Sequence, residues 1–366
     1  GGGAGTAGAT AGTNRGGGGG AGTAGATAGT NGGGGKGGGA GSGAGGASAG
    51  TVVAIPPYTI SVWATGTNDY QAPDSIETDG THIWVGYQNK TTKDGSDGGA
   101  GFVANSTVVE YTLDGTTVLK TFSLAGHVDG LRVDPTNKNV WVTSNEDGAP
   151  HLFMIDATTQ VVTSYVLPSP LPHGGGLDDI GFVDGKMFVA ASAPSATKAT
   201  QNRPALYQVT ISGTTATLTQ ALAGNGSATD YNVADAGVAL NLTDPDSITI
   251  SPTGDLVLVS QGDNQVLFVT HPGSTPAIKS LTVATQLDDT VWTTNTKGQL
   301  LVVDGKANII YSVRRSDGWT VGIVYTETPD DSTIPNILGT LDLTTGNIQP
   351  IAVGFGKATG LLFLPQ

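Results

Sequence analysis

Five aspartates recur at one position of a repeated segment, and by type and spacing they are the side chains best suited to chemistry. Six segments align in chain order: PDSIETDG, VDGLRVDP, DDIGFVDG, PDSITISP, DDTVWTTN and ATGLLFLP. The second column of this alignment, completed by Thr359, contains Asp74, Asp129, Asp179, Asp246 and Asp289. Gathered carboxylates raise one another's pKa unless a cation or donors compensate them. The column predicts a Ca²⁺ or Mg²⁺ site or, alternatively, structural aspartates that each cap a turn of their own repeat.

Two histidines stand just before the second and third aspartates of this column, in GHVDG and PHGGGLDD. They are His127 and His173. A neutral imidazole can act as a general base or bind a metal. However, no Glu and Asn pair stands at matching positions to complete a metal site, and no Ser-His-Asp arrangement can be placed. We therefore expect both to be hydrogen-bonded loop histidines, and we predict no catalytic residue.

Short strands surround the aspartate column. The first five segments are each followed by a second apolar stretch, which reads HIWVGY, NVWVTS, KMFVAAS, DLVLVSQ and QLLVVDG. A third and often a fourth stretch follow, as in VVEYTLDG and TTVLKTFSL. Four strands repeated every 40 to 50 residues or so are typical of a β-propeller. The sequence therefore predicts an all-β fold.

The repeats resemble the NHL, YVTN and lyase/lactonase group of propellers, whose units read roughly P-x-G-I-A-V-D-x-x-G-x-L-Y-V-A-D. The matching stretches are DSIETDGTHIWVGY, DGLRVDPTNKNVWVTS and DSITISPTGDLVLVSQ, and the resemblance covers residues 51–366. It implies the propeller fold. For function it implies only a choice among scaffold, binder, lyase and hydrolase, since the group contains all of these and its lyases use histidine with a metal.

The number of blades follows from length and spacing. Residues 51–366 would divide into seven blades of about 45 residues, so we predict six or seven four-stranded blades and slightly favour seven. The long step between the last two segments contains a hairpin, NILGTLDLTTGNIQPIAV, which is either a seventh blade or an insertion. We expect the ring to close by pairing strands near 51–66 with the C-terminal strand near 358–366.

Residues 1–50 form a glycine-rich arm with 26 of the 58 glycines and the phrase AGTAGATAGTN written twice. Such a composition cannot build an apolar core and is typical of a flexible linker. An ordered arm must be held by backbone hydrogen bonds to something outside itself, either another copy or its own propeller, in a polyglycine-like helix or an extended ribbon. We expect intersubunit contacts there, through these arm residues: Ala4, Gly5, Gly8, Gly12, Ala21, Gly22, Gly25 and Gly29.

Charge and composition limit the partners. The net charge is −14, which disfavours nucleic acid and anionic membranes as partners. The absence of cysteine excludes disulfides and thiolate metal sites. No apolar run approaches the roughly 20 residues needed to span a bilayer. The chain starts at glycine without a charged and apolar leader, so we expect an exported, extracellular or cell-surface protein whose signal has been removed.

Two functions fit these observations. The arm favours a structural subunit of an extracellular filament, in which the arm docks on neighbouring copies of the same chain and no cofactor is required. The alternative is a secreted or surface-tethered propeller that binds a ligand or acts as a metal-dependent enzyme, with Ca²⁺ or Mg²⁺ at the aspartate column.

Overall fold

The computed structural model describes residues 51–195, 203–330 and 332–366, which form a six-bladed β-propeller. The assembly arm predicted at residues 1–50 lies outside the described residues, so its geometry and contacts stay predictions. No α-helix occurs in the described ranges. One turn of 3-10 helix spans Gln261–Asp263.

Two strands of outer blade edges open the described chain, and four regular blades follow. The first two strands are β1 (Val53–Ala54) and β2 (Tyr58–Thr65). Blade 1 consists of β3 (Pro73–Thr78), β4 (His82–Tyr87), β5 (Asn105–Thr112) and β6 (Val118–Ala125). Blade 2 consists of β7 (Val128–Val133), β8 (Val140–Ser144), β9 (His151–Ile155) and β10 (Val162–Tyr165). Blade 3 consists of β11 (Ile180–Val183), β12 (Lys186–Ala190), β13 (Pro204–Ser212) and β14 (Thr215–Ala223).

Blade 4 carries two additional strands at its outer edge. These strands come first in the chain and are β15 (Ser227–Asp230) and β16 (Gly237–Ala239). The four strands of the blade itself are β17 (Pro245–Ile250), β18 (Leu256–Ser260), β19 (Gln265–Thr270) and β20 (Ala277–Thr282). β15 runs parallel to β20, and β16 completes the edge.

Blades 5 and 6 are interlocked along the chain. Their strands are β21 (Thr290–Trp292), β22 (Gly298–Asp304), β23 (Ile309–Arg315), β24 (Val324–Glu327), β25 (Ile337–Leu341), β26 (Ile348–Val353) and β27 (Ala358–Pro365). Blade 5 has the order β21-β24-β25-β26 with β1 at its outer edge, whereas blade 6 has the order β27-β22-β23-β2. The chain therefore leaves blade 5 after one strand, makes the middle hairpin of blade 6, returns, and enters blade 6 again at its C-terminus.

This arrangement corrects three expectations. Of the two predicted blade numbers, six is confirmed and the favoured seven is wrong, because the hairpin at 337–353 supplies the outer strands of blade 5 and makes no blade of its own. The second apolar stretch after the fifth aspartate segment, QLLVVDG, belongs to blade 6. The N-terminal strand β2 and the C-terminal strand β27 share a blade but do not pair with each other, since β22 and β23 lie between them.

Apolar residues of neighbouring blades pack against one another in six clusters around the ring. Ile83 and Val85 of blade 1, for example, pack with Leu301 and Val303 of blade 6, and all four are fully buried. At about 25 cal/mol per Å² of apolar surface, burial of these strand faces is the main stabilising contribution. The ring of interfaces fixes the six inner strands, and hence the residues that line the central channel.

Candidate functional site

Five aspartates line one end of the central channel, each at the start of an inner strand. This aspartate ring contains Asp74, Asp129, Asp178, Asp246 and Asp288. Thr359 takes the sixth place, and its buried hydroxyl oxygen makes no hydrogen bond in the described part of the chain. The ring opens into a cavity of about 450 Å³, here called the acidic mouth.

The ring differs from the sequence alignment in two blades. The residue two positions after each ring aspartate lies on the inner strand and pairs with the second strand of its blade. In blade 1, for example, this residue is Ile76, which pairs with Val85. In blade 3 this residue is Ile180, which pairs with Val189, so Asp178 and not Asp179 lies in the ring. In the same way, Asp288 and not Asp289 is the ring residue of blade 5. Asp74, Asp129 and Asp246 lie where the alignment placed them.

Small residues behind the ring allow the inner strands to approach closely. A Cβ on Gly130 would lie 2.6 Å from the Cα of Asp179, and one on Gly360 would lie 2.1 Å from the carbonyl oxygen of Asp74. Where this place holds serine, its hydroxyl donates to the neighbouring blade, as Ser247 does to the carbonyl oxygen of Asp288 at 2.6 Å. In the recurring pair of an aspartate and a small residue, the aspartate belongs to the ring. The small residue is required because the channel behind the ring is narrow.

Negative charge exceeds positive charge at the acidic mouth. Besides the ring, its lining includes four more carboxylates: Glu146, Asp147, Asp244 and Asp330. Two ammonium groups of the lining face these nine carboxylates, those of Lys93 and Lys357. In the described ranges, the carboxylates of three ring members neither accept a hydrogen bond nor cap a turn: Asp178, Asp246 and Asp288. The ring therefore resembles a cation site more closely than a set of turn caps.

Burial and mutual repulsion raise the pKa of the ring carboxyls. Burial raises the pKa of Asp74 to about 7, with Lys357 opposing the shift and Glu146 and Asp289 adding to it. Burial and Glu146 raise the pKa of Asp129 well above its usual range. Burial and the neighbouring Asp246 do the same for Asp178. Removing a carboxylate from water disfavours its charged form, so burial favours the protonated form of these ring carboxyls.

His127, Asp129 and Glu146 converge at one side of the acidic mouth, with one ligand atom of each within 4.8 Å of the others. His127 Nε2 lies 3.6 Å from a carboxylate oxygen of Asp129. This nitrogen is buried and makes no hydrogen bond within the described residues. Burial lowers the pKa of His127 to about 4, so its ring is neutral at pH 7.

Hydrogen bonds assign the neutral tautomer of His127. The Thr91 hydroxyl donates its proton to the Gln88 carbonyl oxygen at 2.6 Å, and its oxygen lies 2.8 Å from His127 Nδ1. Since the hydroxyl has no second proton to give, it must accept the Nδ1–H of His127. The lone pair of Nε2 is therefore free, 3.6 Å from an Asp129 oxygen that also accepts a hydrogen bond from Gln88 Nε2 at 3.2 Å. These two acceptor atoms repel each other unless a cation or a proton lies between them. An acceptor that binds the N–H of the other ring nitrogen, as Thr91 does here, is also the usual arrangement of metal-binding histidines.

The other predicted histidine has a different environment. His173 is fully buried, with Nδ1 at 2.8 Å from the Tyr207 hydroxyl and Nε2 at 2.8 Å from the Gly176 carbonyl oxygen. These contacts fit the expected hydrogen-bonded loop histidine, whereas His127 Nε2 departs from it.

Glu146 escaped the sequence analysis because it lies in the loop after β8, outside the repeated segment. A signal for it was present. Polar residues follow the second strand in three blades and line the acidic mouth: Gln88, Glu146 and Gln261. In the observed register Asn145 is the residue equivalent to Gln88 and Gln261, and Glu146 stands one position later. Inspecting both positions after the second strand would therefore have found Glu146.

Arg132 fills the channel on the side of the ring away from the acidic mouth. Its Nη2 donates to Asp179 at 2.5 Å and to the Ile248 carbonyl oxygen at 2.6 Å. The same nitrogen lies 3.7 Å from Asp289, and Nη1 lies 3.9 Å from Glu77. Asp179 and Asp289, which the alignment assigned to a metal site, are therefore partners of this buried guanidinium.

The described residues include no helix with the length and apolar character needed to cross a membrane.

No protein-family model matches the chain, and no curated protein matches it. Similar solved structures include a streptogramin B lyase, with 12% identity over 84% of this chain and 80% of that chain and a TM-score of 0.44. Virginiamycin B lyase from Staphylococcus aureus has 13% identity over 70% of this chain and 99% of that one, with a TM-score of 0.41. A putative gluconolactonase has 9% identity over 85% and 90%, with a TM-score of 0.47. The chain is a six-bladed β-propeller, and the predicted resemblance to lyase and lactonase propellers is confirmed for the fold alone.

Proposed function

We propose that the protein is a ligand-binding propeller whose acidic mouth holds a divalent cation on His127, Asp129 and Glu146. The observation that carries the proposal is the buried lone pair of His127 Nε2, which faces a carboxylate without a donor between them. A bound cation would accept this lone pair and both carboxylates. It would also offset part of the surplus negative charge of the mouth.

The donor set suggests which cation binds. Imidazole nitrogen suits Zn²⁺ and other transition metals, whereas all-oxygen sites suit Ca²⁺ and Mg²⁺. We therefore expect Zn²⁺ and Mn²⁺ to bind more tightly than the Ca²⁺ or Mg²⁺ that the aspartate column alone predicted. Such a cation would hold an oxygen atom of a ligand that enters the mouth, whose volume of about 450 Å³ suits a small molecule.

Calorimetric titration of the chelator-treated protein with each cation tests the proposal. We expect His127→Gln and Glu146→Gln to weaken Zn²⁺ binding by more than about 100-fold, because each removes a ligand. Thr91→Val should weaken it by about 10- to 100-fold, because it removes the acceptor that fixes the tautomer.

His271→Gln is the matched control, since the side chain of His271 is 71% exposed and lies outside the mouth. Each variant should unfold cooperatively, so that lost binding is not lost folding. Wild-type protein that binds none of the four cations would refute the proposal, and so would Zn²⁺ binding that His271→Gln weakens as much as His127→Gln.

Lys93 provides a further prediction about the same site. Its ammonium lies 2.5 Å from a carboxylate oxygen of Glu146, while its side chain is 54% exposed. A cation on Glu146, whose side chain is 13% exposed, must compete with this ion pair, which is weakened by water at the exposed lysine. We expect Lys93→Gln to tighten Zn²⁺ binding by roughly two- to fivefold. The same titration, with Lys90→Gln as control from the same loop, measures the change, and unchanged or weaker binding in Lys93→Gln would contradict it.

A further inference from the structure

A second cavity opens at the end of the channel opposite the aspartate ring. It has a volume of about 300 Å³ and is here called the lower cavity. The inner strands of all six blades contribute to it, each by the residues that follow its ring position. Its walls are largely apolar and include Val133, Phe182, Ile250, Val291 and Leu362.

Two charged groups converge at the inner end of the lower cavity. They are the carboxylate of Glu77 and the guanidinium of Arg132, whose side chains are 24% and 13% exposed. The nearest atoms, Glu77 Oε2 and Arg132 Nη1, are 3.9 Å apart, which is too far for a hydrogen bond. Among the described residues, neither of these two atoms has a hydrogen-bond partner. The cavity thus joins apolar walls to one acceptor and one donor that retain hydrogen-bonding capacity.

The charges around Arg132 narrow the class of ligand. A simple anion would be repelled, because Asp179 and Asp289 also lie within 4 Å of the guanidinium. A simple cation would satisfy Glu77 but leave Nη1 unpaired. A zwitterion whose ammonium and carboxylate groups are bonded to the same carbon can pair with both Glu77 and Arg132. An apolar side chain on that carbon would then contact the apolar walls of the cavity.

We propose that the lower cavity binds an α-amino acid with an apolar side chain, with its ammonium group on Glu77 and its carboxylate on Arg132 Nη1. The site is separate from the acidic mouth, because Arg132 and the ring lie between them. The proposal is therefore independent of cation binding.

L-Leucine is a suitable probe, measured by ligand-observed NMR or calorimetry on the full chain. We expect N-acetyl-L-leucine, which lacks the ammonium, and L-leucine amide, which lacks the carboxylate, each to bind about tenfold more weakly or worse, as for the loss of a hydrogen bond to a charged group. Glu77→Gln should weaken L-leucine by a similar factor but leave the weak binding of N-acetyl-L-leucine unchanged.

A change at the rim tests the location of the site. Ile250 lines the cavity and is 37% exposed, so Ile250→Trp should block binding without burying new volume in the core, whereas Ile250→Val should retain binding. His127→Gln should leave L-leucine binding unchanged. Absence of L-leucine binding to the wild type, equal binding of the three probes, or binding that Ile250→Trp does not weaken would each overturn the proposal.

Discussion

Replacing Arg132 with methionine should lower the free energy of unfolding by about 3–5 kcal/mol, as expected when one partner of a buried charge cluster is removed. The guanidinium binds Asp179 and the Ile248 carbonyl oxygen directly and faces Glu77 and Asp289, so it joins the inner strands of five blades. Methionine would keep much of the apolar volume but leave three buried carboxyls without a cation. The loss of unfolding free energy should be smaller at acidic pH, because protonated carboxyls are neutral and need no positive charge beside them. Denaturant unfolding at pH 7.5 and pH 5 measures both effects.

Arg314→Met is the matched control. Arg314 is an exposed arginine on β23 whose Nη2 donates to Gln299 at 2.8 Å. Exposed polar contacts contribute little, so we expect a change below about 1 kcal/mol. An Arg132→Met protein as stable as the control at pH 7.5 would show that the buried carboxyls do not depend on the guanidinium.

The sequence predicted the fold because the determinants of a blade are local. Alternating apolar residues and turn residues recur in every repeat, a small residue follows the ring position in four of the six blades, and each repeat packs on its neighbours in the same way. The interlocked blades 5 and 6 have no local signature. From the sequence, hairpin β22-β23 would be taken as the continuation of blade 5. It belongs to blade 6 because it pairs with β2 and β27, which lie at the two ends of the described chain. This distant pairing explains the wrong blade count.

The misplaced ring residues have a physical cause that the sequence contains. In blades 3 and 5 the segment has two consecutive aspartates, and the alignment took the first as equivalent to Pro73. Leu177 and Leu287, one residue earlier, are fully buried and occupy that apolar place. Including the apolar residue before each pair would have shifted both segments by one and brought Asp178 and Asp288 into the column.

The environment of His127 could not be predicted from spacing. Whether an imidazole nitrogen has a partner depends on Thr91 from blade 1 and on Glu146 from the next loop of blade 2, which the chain brings together only in the folded ring. The filament function predicted from residues 1–50 remains a separate prediction, because none of the described residues bears on it. Cation binding at the mouth and assembly through the arm are compatible.

The stability of the cation-free protein should fall as the pH rises from about 5 to 7.5. Burial raises the pKa of Asp74 and of Asp179 to about 7 and that of Asp244 to about 6. A carboxyl with a higher pKa in the folded state than in the unfolded state keeps its proton longer, so the folded state binds more protons between about pH 4 and pH 7. The free energy of unfolding therefore decreases through this window. His127, with its pKa lowered to about 4, and His151, whose pKa burial also lowers, act in the opposite direction but are two groups against several.

We expect the melting temperature of chelator-treated protein to be lower at pH 7.5 than at pH 5 by about 5 °C or more. Saturating Zn²⁺ should restore it at pH 7.5, since a ligand at about 100 times its dissociation constant adds about 2.7 kcal/mol. At pH 5 the ion should have little effect, because protons compete for the same carboxylates. In His127→Gln the melting temperature should still depend on pH, but Zn²⁺ should no longer restore it at pH 7.5. This variant thus distinguishes the effect of the aspartate ring from that of the cation site. A melting temperature that rises from pH 5 to 7.5 without metal would mean that the ring carboxylates are compensated within the protein, and the mouth would then need no cation.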